Sequence, residues 1–144
     1  MPTTRTATTH WEGTLFEGAG KVTLESSGLG TYDVSWPSRA EEPNGKTSPE
    51  ELIAAAHSSC YAMALSNEIG QAGGTTESLE VTADVTLGQE DGAPTITTIK
   101  LTVRGEVGGL DAEGFAQAAQ AAKVGCPVSK ALAAVDISLD ASLL

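Results

Sequence analysis

The stretch from Pro49 to about Gly70 decides what this chain is able to become. Ser48 is a good helix N-cap, Pro49 suits the first helical position, and Glu51 stands three residues after the cap as the acidic half of a capping box. Beyond that start, Leu52, Ile53, Ala55, Ala56, Ala62, Met63 and Leu65 leave almost no polar face. A helix that is apolar nearly all round is buried on every side, so the remaining elements have to wrap it. Its small residues also allow a second helix to approach closely. The run from Leu52 to Leu65 carries His57, Ser58 and Ser59, and is too short and too polar for a membrane span.

Strands are expected on both sides of this helix. His10–Glu17, Lys21–Ser26 and Thr31–Trp36 alternate roughly, broken by Gly18-Ala-Gly20 and Gly28-Leu-Gly30. Residues 38–48 read as a loop with a turn at Asn44-Gly45. After Gly73-Gly74, Ser78–Leu87 and Thr95–Val107 alternate strongly and predict an antiparallel hairpin with a mid-length loop, Gln89–Pro94. Asp111 caps a helix over Ala112 to about Lys123, a short helix follows Cys126-Pro127 to about Ala134, and Val135–Leu144 closes as a strand. The order is α+β without βαβ repetition: antiparallel sheets around a long buried central helix, in one domain spanning residues 1–144.

With 4% aromatic residues and 16 glycines, the core consists of small side chains, and burial at an oligomer interface is the expected supplement. Eight basic against nineteen acidic residues, a formal charge of −11, argue against a nucleic-acid partner and against anionic membranes. The N-terminus, Met1-Pro-Thr-Thr-Arg-Thr-Ala, shows no apolar h-region, so a cytoplasmic location is expected. In that compartment two cysteines stay reduced by default, and a disulfide between them is transient and functional.

Those cysteines carry the chemistry. Cys60 lies deep in the apolar helix, where its plain reading is a buried small hydrophobe. As a nucleophile it needs a neighbouring cation, because it is too far from the helix start for the dipole to act, and the chain offers Arg5, Arg39 and Arg104. Cys126, in Val124-Gly-Cys-Pro-Val128, sits at a helix start where free amides favour an anion. By that argument alone it is the better thiolate, and sequence physics leaves the attacking thiol open. Glu51 has a capping job and Glu50 has none, yet Glu50 and Cys60 are separated by ~15 Å along an ideal helix. If both serve one site, a second copy of the chain must bring its Glu50 to this Cys60. His57, three residues before Cys60, shares its face; a Cys–His nucleophilic pair is one reading and a histidine bonded within the core the plainer one. A metal site would have to draw on His10, His57, Cys60 and Cys126 together, without compact ligand spacing. No phosphate loop, G-x-S-x-G elbow or dinucleotide fingerprint occurs in the sequence.

Taken together, these segments have a known likeness. Thr47-Ser-Pro-Glu-Glu-Leu-Ile-Ala-Ala-Ala-His-Ser-Ser-Cys60 with Tyr-Ala-Met-Ala-Leu-Ser66 resembles the central-helix motif of the OsmC/Ohr family, osmotically inducible protein C and the organic hydroperoxide resistance proteins. Lys123-Val-Gly-Cys-Pro-Val-Ser129 resembles its second cysteine motif, and His10-Trp-Glu-Gly13 and Thr82-Ala-Asp-Val85 are similar to OsmC as well. The resemblance implies an OsmC-like fold, an intertwined homodimer with interface sites, and a thiol peroxidase reducing organic hydroperoxides, with hydrogen peroxide left open as a further substrate. It implies Cys60 as peroxidatic thiol, Cys126 as resolving thiol, Glu50 as the catalytic carboxylate and Arg39 as its arginine. An arginine in the loop before the central helix marks the OsmC rather than the Ohr subfamily, whose N-terminal arginine has no match in Glu17-Gly-Ala-Gly-Lys21. The implied cycle uses no metal, haem or flavin and needs an external dithiol, of which a lipoylated protein or a small thiol are the classes suggested. Two rivals are a Cys60–His57 thiol hydrolase and a non-catalytic module binding a small ligand.

Overall fold

The computed structural model describes residues 2–144, and the chain divides into two compact units, Met1–Leu52 and Ile53–Leu144. The element order is β1 (Thr8–Glu12), β2 (Ala19–Thr23), β3 (Thr31–Val34), α1 (Trp36–Ala40), α2 (Pro49–Gln71), β4 (Thr75–Glu90), β5 (Ala93–Gly108), α3 (Ala112–Gly125), α4 (Pro127–Ala131) and β6 (Asp136–Leu143). Helix α2 starts in the first unit and continues through the second.

The N-terminal unit is an antiparallel meander, β1-β2-β3, with His10 opposite Lys21 and Val22 opposite Tyr32. Its strands are shorter than their alternation predicts, because the glycine segments and Thr14–Glu17 form wide turns. Where the expected strand Thr31–Trp36 gives way to the expected loop lies a helix that the sequence reading misses, α1. Ser35 caps it reciprocally: its Oγ accepts from the Ser38 amide, while the Ser35 amide donates to Ser38 Oγ. Serine thus stands in for the longer Glu of an ordinary capping box. Pro37 at the helix start adds the φ that a first turn needs. The Asn44-Gly45 turn is present, with φ of 49° and 79°, the left-handed region those two residue types tolerate best.

The C-terminal unit places β5 between β4 and β6. β4 and β5 form a hairpin much longer than the alternation indicates. Glu90 pairs with Ala93 across a two-residue Asp91-Gly92 turn in place of the mid-length loop. Both turn residues have positive φ, 52° and 78°, as a tight hairpin with right-handed twist requires. The last strand corrects the antiparallel expectation: β6 runs parallel to β5, Ile99 opposite Ile137 and Val103 opposite Ala141. Two intervening helices supply the crossover that a parallel pair needs.

One face of β5 (Ile99, Leu101, Val103) packs with Tyr61, Leu65 and Ile69 of α2 and with Phe115, Ala118, Ala119 and Ala122 of α3. Gly105 keeps that layer tight, since an added Cβ would stand 3.0 Å from both Leu79 and Phe115. Helix α2 is not buried all round. His57, Tyr61, Leu65 and Ile69 form one buried stripe at a spacing of four, whereas Ala55, Ala56, Ser59 and Met63 are exposed, Met63 by 72%. A single chain therefore covers one face of this helix, and an apolar face stays bare. No helix among the described residues is long and apolar enough to cross a membrane.

Candidate active site

Two constellations carry chemistry, one in each unit. In the N-terminal unit, α1 presents Arg39 and the first turn of α2 presents Glu50. Arg39 Nε donates to Glu50 Oε1 at 3.0 Å and to Oε2 at 3.2 Å, and Nη2 donates to Oε2 at 2.8 Å. This is a forked, charge-assisted pair that fixes the plane of the guanidinium. Glu50 is buried, while the Arg39 side chain keeps 31% exposure, so one edge of the cation remains available. The guanidinium lies 5.9 Å from the Trp36 ring centroid, and Phe16 meets that ring edge-on at 6.3 Å. Glu51 is occupied elsewhere: its amide donates to Ser48 Oγ at 3.2 Å, and its carboxylate accepts from Thr47 Oγ1 at 2.6 Å. Ser48 thus caps as expected, with Thr47 in the place expected of the Ser48 amide. A cleft of about 380 Å³ is lined by Trp11, Leu15, Val22, Val34, Trp36 and Leu52, together with Arg39.

In the C-terminal unit, Cys60 on α2 and Cys126 at the start of α4 stand with sulfurs 3.2 Å apart, one thiol hydrogen-bonded to the other and no disulfide formed. Cys126 is fully buried and Cys60 half-buried. Their environments push them in opposite directions. Burial raises the Cys60 thiol, the Val128 amide offsets part of that, and the neighbouring Cys126 raises it further. Burial also acts to raise Cys126, but the Ser129 amide, the Cys60 thiol, the Ser129 hydroxyl and the Val128 amide together bring it below its ordinary value. The helix-start argument drawn from the sequence thus holds within this unit: Cys126 is the easier thiolate.

His57 is fully buried, with Nε2 2.7 Å from Ser129 Oγ and Nδ1 without a hydrogen-bond partner among the described atoms. Burial lowers its basicity. It takes the plainer of its two readings, a histidine bonded within the core. Tyr61, one residue after Cys60, donates its hydroxyl to the Ala119 carbonyl at 2.9 Å, tying α2 to α3.

The four residues singled out from the sequence thus come together two by two: Arg39 with Glu50, and Cys60 with Cys126. Ser129 was missed, because its hydroxyl meets His57, a partner 72 positions away that no local pattern announces.

An α+β chain whose two cysteines meet as free thiols, one of them at a helix N-terminus, has the arrangement that thiol–disulfide exchange requires. Comparison with known proteins makes the class specific. The family profile described as OsmC-like protein matches residues 42–140, and the chain belongs to that family. Peroxiredoxin OsmC of Escherichia coli (strain K12) is 46% identical over 134 residues, covering 93% of this chain and 92% of that protein. Among solved structures, the organic hydroperoxide resistance protein OhrB of Bacillus subtilis is 28% identical with a TM-score of 0.76, over 95% of this chain and 98% of that one. An organic hydroperoxide resistance protein from Elizabethkingia anophelis is 27% identical with the same TM-score, over the whole of both chains.

Proposed function

We propose that the chain is a thiol peroxidase that reduces organic hydroperoxides through a two-cysteine cycle, acting as one OsmC-like domain over its whole length. The observation that carries this reading is the 3.2 Å separation of Cys60 and Cys126 as free thiols, close enough to become a disulfide with a small movement. The names of the relatives, a peroxiredoxin and organic hydroperoxide resistance proteins, supply the substrate class.

In the proposed cycle, the Cys60 thiolate attacks one peroxide oxygen, the O–O bond breaks and an alcohol leaves, with Cys60 now a sulfenic acid. Cys126 attacks that sulfur, forming the disulfide and releasing water, and an external dithiol of small-thiol or lipoyl type returns both to thiols. Burial and Cys126 both raise the Cys60 thiol, so the cation that favours its thiolate has to come from elsewhere. Arg39 is suited to that role, because the forked pair with Glu50 fixes its plane and leaves an edge free. In a homodimer, whose interface the bare face of α2 would supply, one copy's Arg39–Glu50 pair serves the other copy's Cys60. The apolar cleft beside Arg39 suits the organic tail of the substrate.

Intact-protein mass tests the cycle. After one equivalent of an organic hydroperoxide, the reduced wild type should lose two hydrogens, whereas Cys126→Ser should gain one oxygen at Cys60. No mass change would overturn the peroxidase, and an oxygen trapped in Cys60→Ser would exchange the two roles. Co-expression of Arg39→Ala and Cys60→Ser chains tests the division between copies: mixed dimers should regain activity that neither variant has alone. Mixed dimers as dead as their parents would refute it.

A further inference from the structure

Two side-chain contacts tie the start of α4 to α2, and they are spaced alike on both. His57 stands three residues before Cys60 on the same face of α2, and Ser129 stands three residues after Cys126, the cap of α4. His57 Nε2 lies 2.7 Å from Ser129 Oγ, and the Cys126 thiol donates to Cys60 Sγ at 3.2 Å. These are two rungs about one helical turn apart, running in opposite senses along the two segments. Among the described residues no other side-chain hydrogen bond joins them. The thiol rung changes in every cycle, because Cys60 gains an oxygen and Cys126 then has to reach its sulfur. The His57–Ser129 rung takes no part in the redox change, and both its residues are buried. Helix α4 needs such a tie. Five residues are too few to sustain a helix by themselves, Cys126 makes no side-chain cap bond, and Val128 and Leu132 are only partly buried against the core.

We propose that the His57–Ser129 rung keeps α4 docked on α2 while Cys60 is a sulfenic acid, so that Cys126 closes the disulfide before a second peroxide reaches Cys60. The inference rests on the peroxidase reading for the two competing steps. In closure, the Cys126 sulfur bonds to the Cys60 sulfur and the Cys60 S–O bond breaks. The oxygen leaves as water, carrying the sulfenic proton and the Cys126 proton. In the competing step, the Cys60 sulfur attacks a second hydroperoxide, whose O–O bond breaks. One oxygen stays on sulfur as a sulfinic acid and the other leaves as an alcohol. The sulfur has then given up two further electrons, and a dithiol no longer restores it. Holding two reacting groups face to face raises the rate of the intramolecular step alone, so the rung shifts this partition toward the disulfide. His57 and Ser129 are positioning residues, since neither touches the peroxide.

The rung is measured first without peroxide, from the thiol–disulfide equilibrium of the protein in a dithiothreitol redox buffer. Ser129→Ala should lower the effective concentration of one thiol toward the other about fivefold, the worth of one hydrogen bond, which makes the reduction potential ~20 mV less negative. His57→Leu should match it, and the two together should be no worse than either alone. His57→Gln, whose amide still reaches Ser129, should stand close to the wild type. A general loosening of the core would instead add up in the double variant and would not spare His57→Gln. Intact-protein mass after excess organic hydroperoxide reads the partition. Wild type should be two hydrogens lighter, while Ser129→Ala should carry a fraction two oxygens heavier, about fivefold above the wild-type level. Potential and sulfinic fraction both at wild-type values in Ser129→Ala would overturn the rung. If that variant fails to fold cooperatively, equal potentials in His57→Leu and His57→Gln would overturn it in its place. A wild type that hydroperoxide never oxidises would remove the peroxidase reading, and the potentials would then decide the rung alone.

Discussion

The two units of the molecule solve opposite problems. In Met1–Leu52 the chemistry is a charged pair on a shallow scaffold. Val22 is its only buried apolar side chain among the described residues, and Leu15, Phe16 and Leu29 are more than half exposed. In Ile53–Leu144 the chemistry is a pair of thiols set in a dense core that holds every fully buried large side chain. An arginine works by its charge and needs one edge in solvent, so it tolerates a thin support as long as a carboxylate fixes its plane. Thiols that must find each other need their backbones fixed, and only close packing does that.

The difference is sharpest in the core itself. Phe115 joins α3 to β5 and touches the space that Gly105 leaves open. Phe115→Ala should cost about 3–5 kcal/mol, the range for emptying a buried aromatic site. Phe16→Ala, at 70% exposure, should stay within about 0.5 kcal/mol. Denaturant unfolding of both variants checks the contrast, and equal losses would mean that the N-terminal unit gains a core the single chain does not show. The next effect lies on activity. Arg39→Lys keeps the charge but loses the fork on Glu50, so peroxide turnover should fall about tenfold to a hundredfold, with stability nearly unchanged. A lysine variant of full activity would mean that charge alone serves and the fixed plane does not matter.

What was legible in the sequence follows the same division. Helix α3 with its Asp111 cap, the start of α2 and the Asn44-Gly45 turn were readable because short-range chemistry sets them. The thiol centre was half readable. The helix start at Cys126 marks its own anion site, but that Ser129 reaches His57 depends on how α4 docks on α2, a separation of 72 positions. The parallel course of β6 depends on a crossover that no local pattern announces. Alternation is equally silent about where a hairpin ends: the strands run on to Asp91-Gly92 through Gln89 and Pro94, which read as loop residues. Helix α1 was missed because its Ser35/Ser38 box is an unusual variant of the signal. The all-round apolar character of α2 was a true feature of the sequence, but it implied more burial than one chain provides.

Smaller effects separate the units by their caps. Asp111 Oδ1 accepts from the Gly114 amide at 2.7 Å, so Asp111→Ala should cost about 1 kcal/mol of stability. Ser35→Ala should cost a similar ~1 kcal/mol or less. Because α1 carries Arg39, its larger consequence should be a fall in activity. Melting curves beside turnover tell the two apart: a cap lost in the C-terminal unit moves the melting point with little change in rate, and a cap lost in the N-terminal unit lowers the rate as well.

The finest contrast is a proton in each unit. His57 titrates below its ordinary value of 6.5 because it is buried, so the unfolded chain binds that proton at a higher pH than the folded one. Its contribution is therefore complete above about pH 6.5 and is lost as the pH falls toward the folded value. Asp33 is held below its ordinary 3.8 by the hydrogen bond and charge of Lys21, 2.6 Å away, so its contribution persists above that pH and is lost in stronger acid. The two are also screened differently. Lys21 and Asp33 are exposed and their attraction weakens with salt, while the burial of His57 does not. Melting temperature followed against pH should thus show a step just below pH 6.5 that His57→Leu removes and salt leaves alone. A second step, below pH 3.8, should vanish in Asp33→Asn and shrink with added salt. If salt erased the upper step as well, His57 would have to be reached by water, and the dense thiol core would be as open as the unit that carries Arg39.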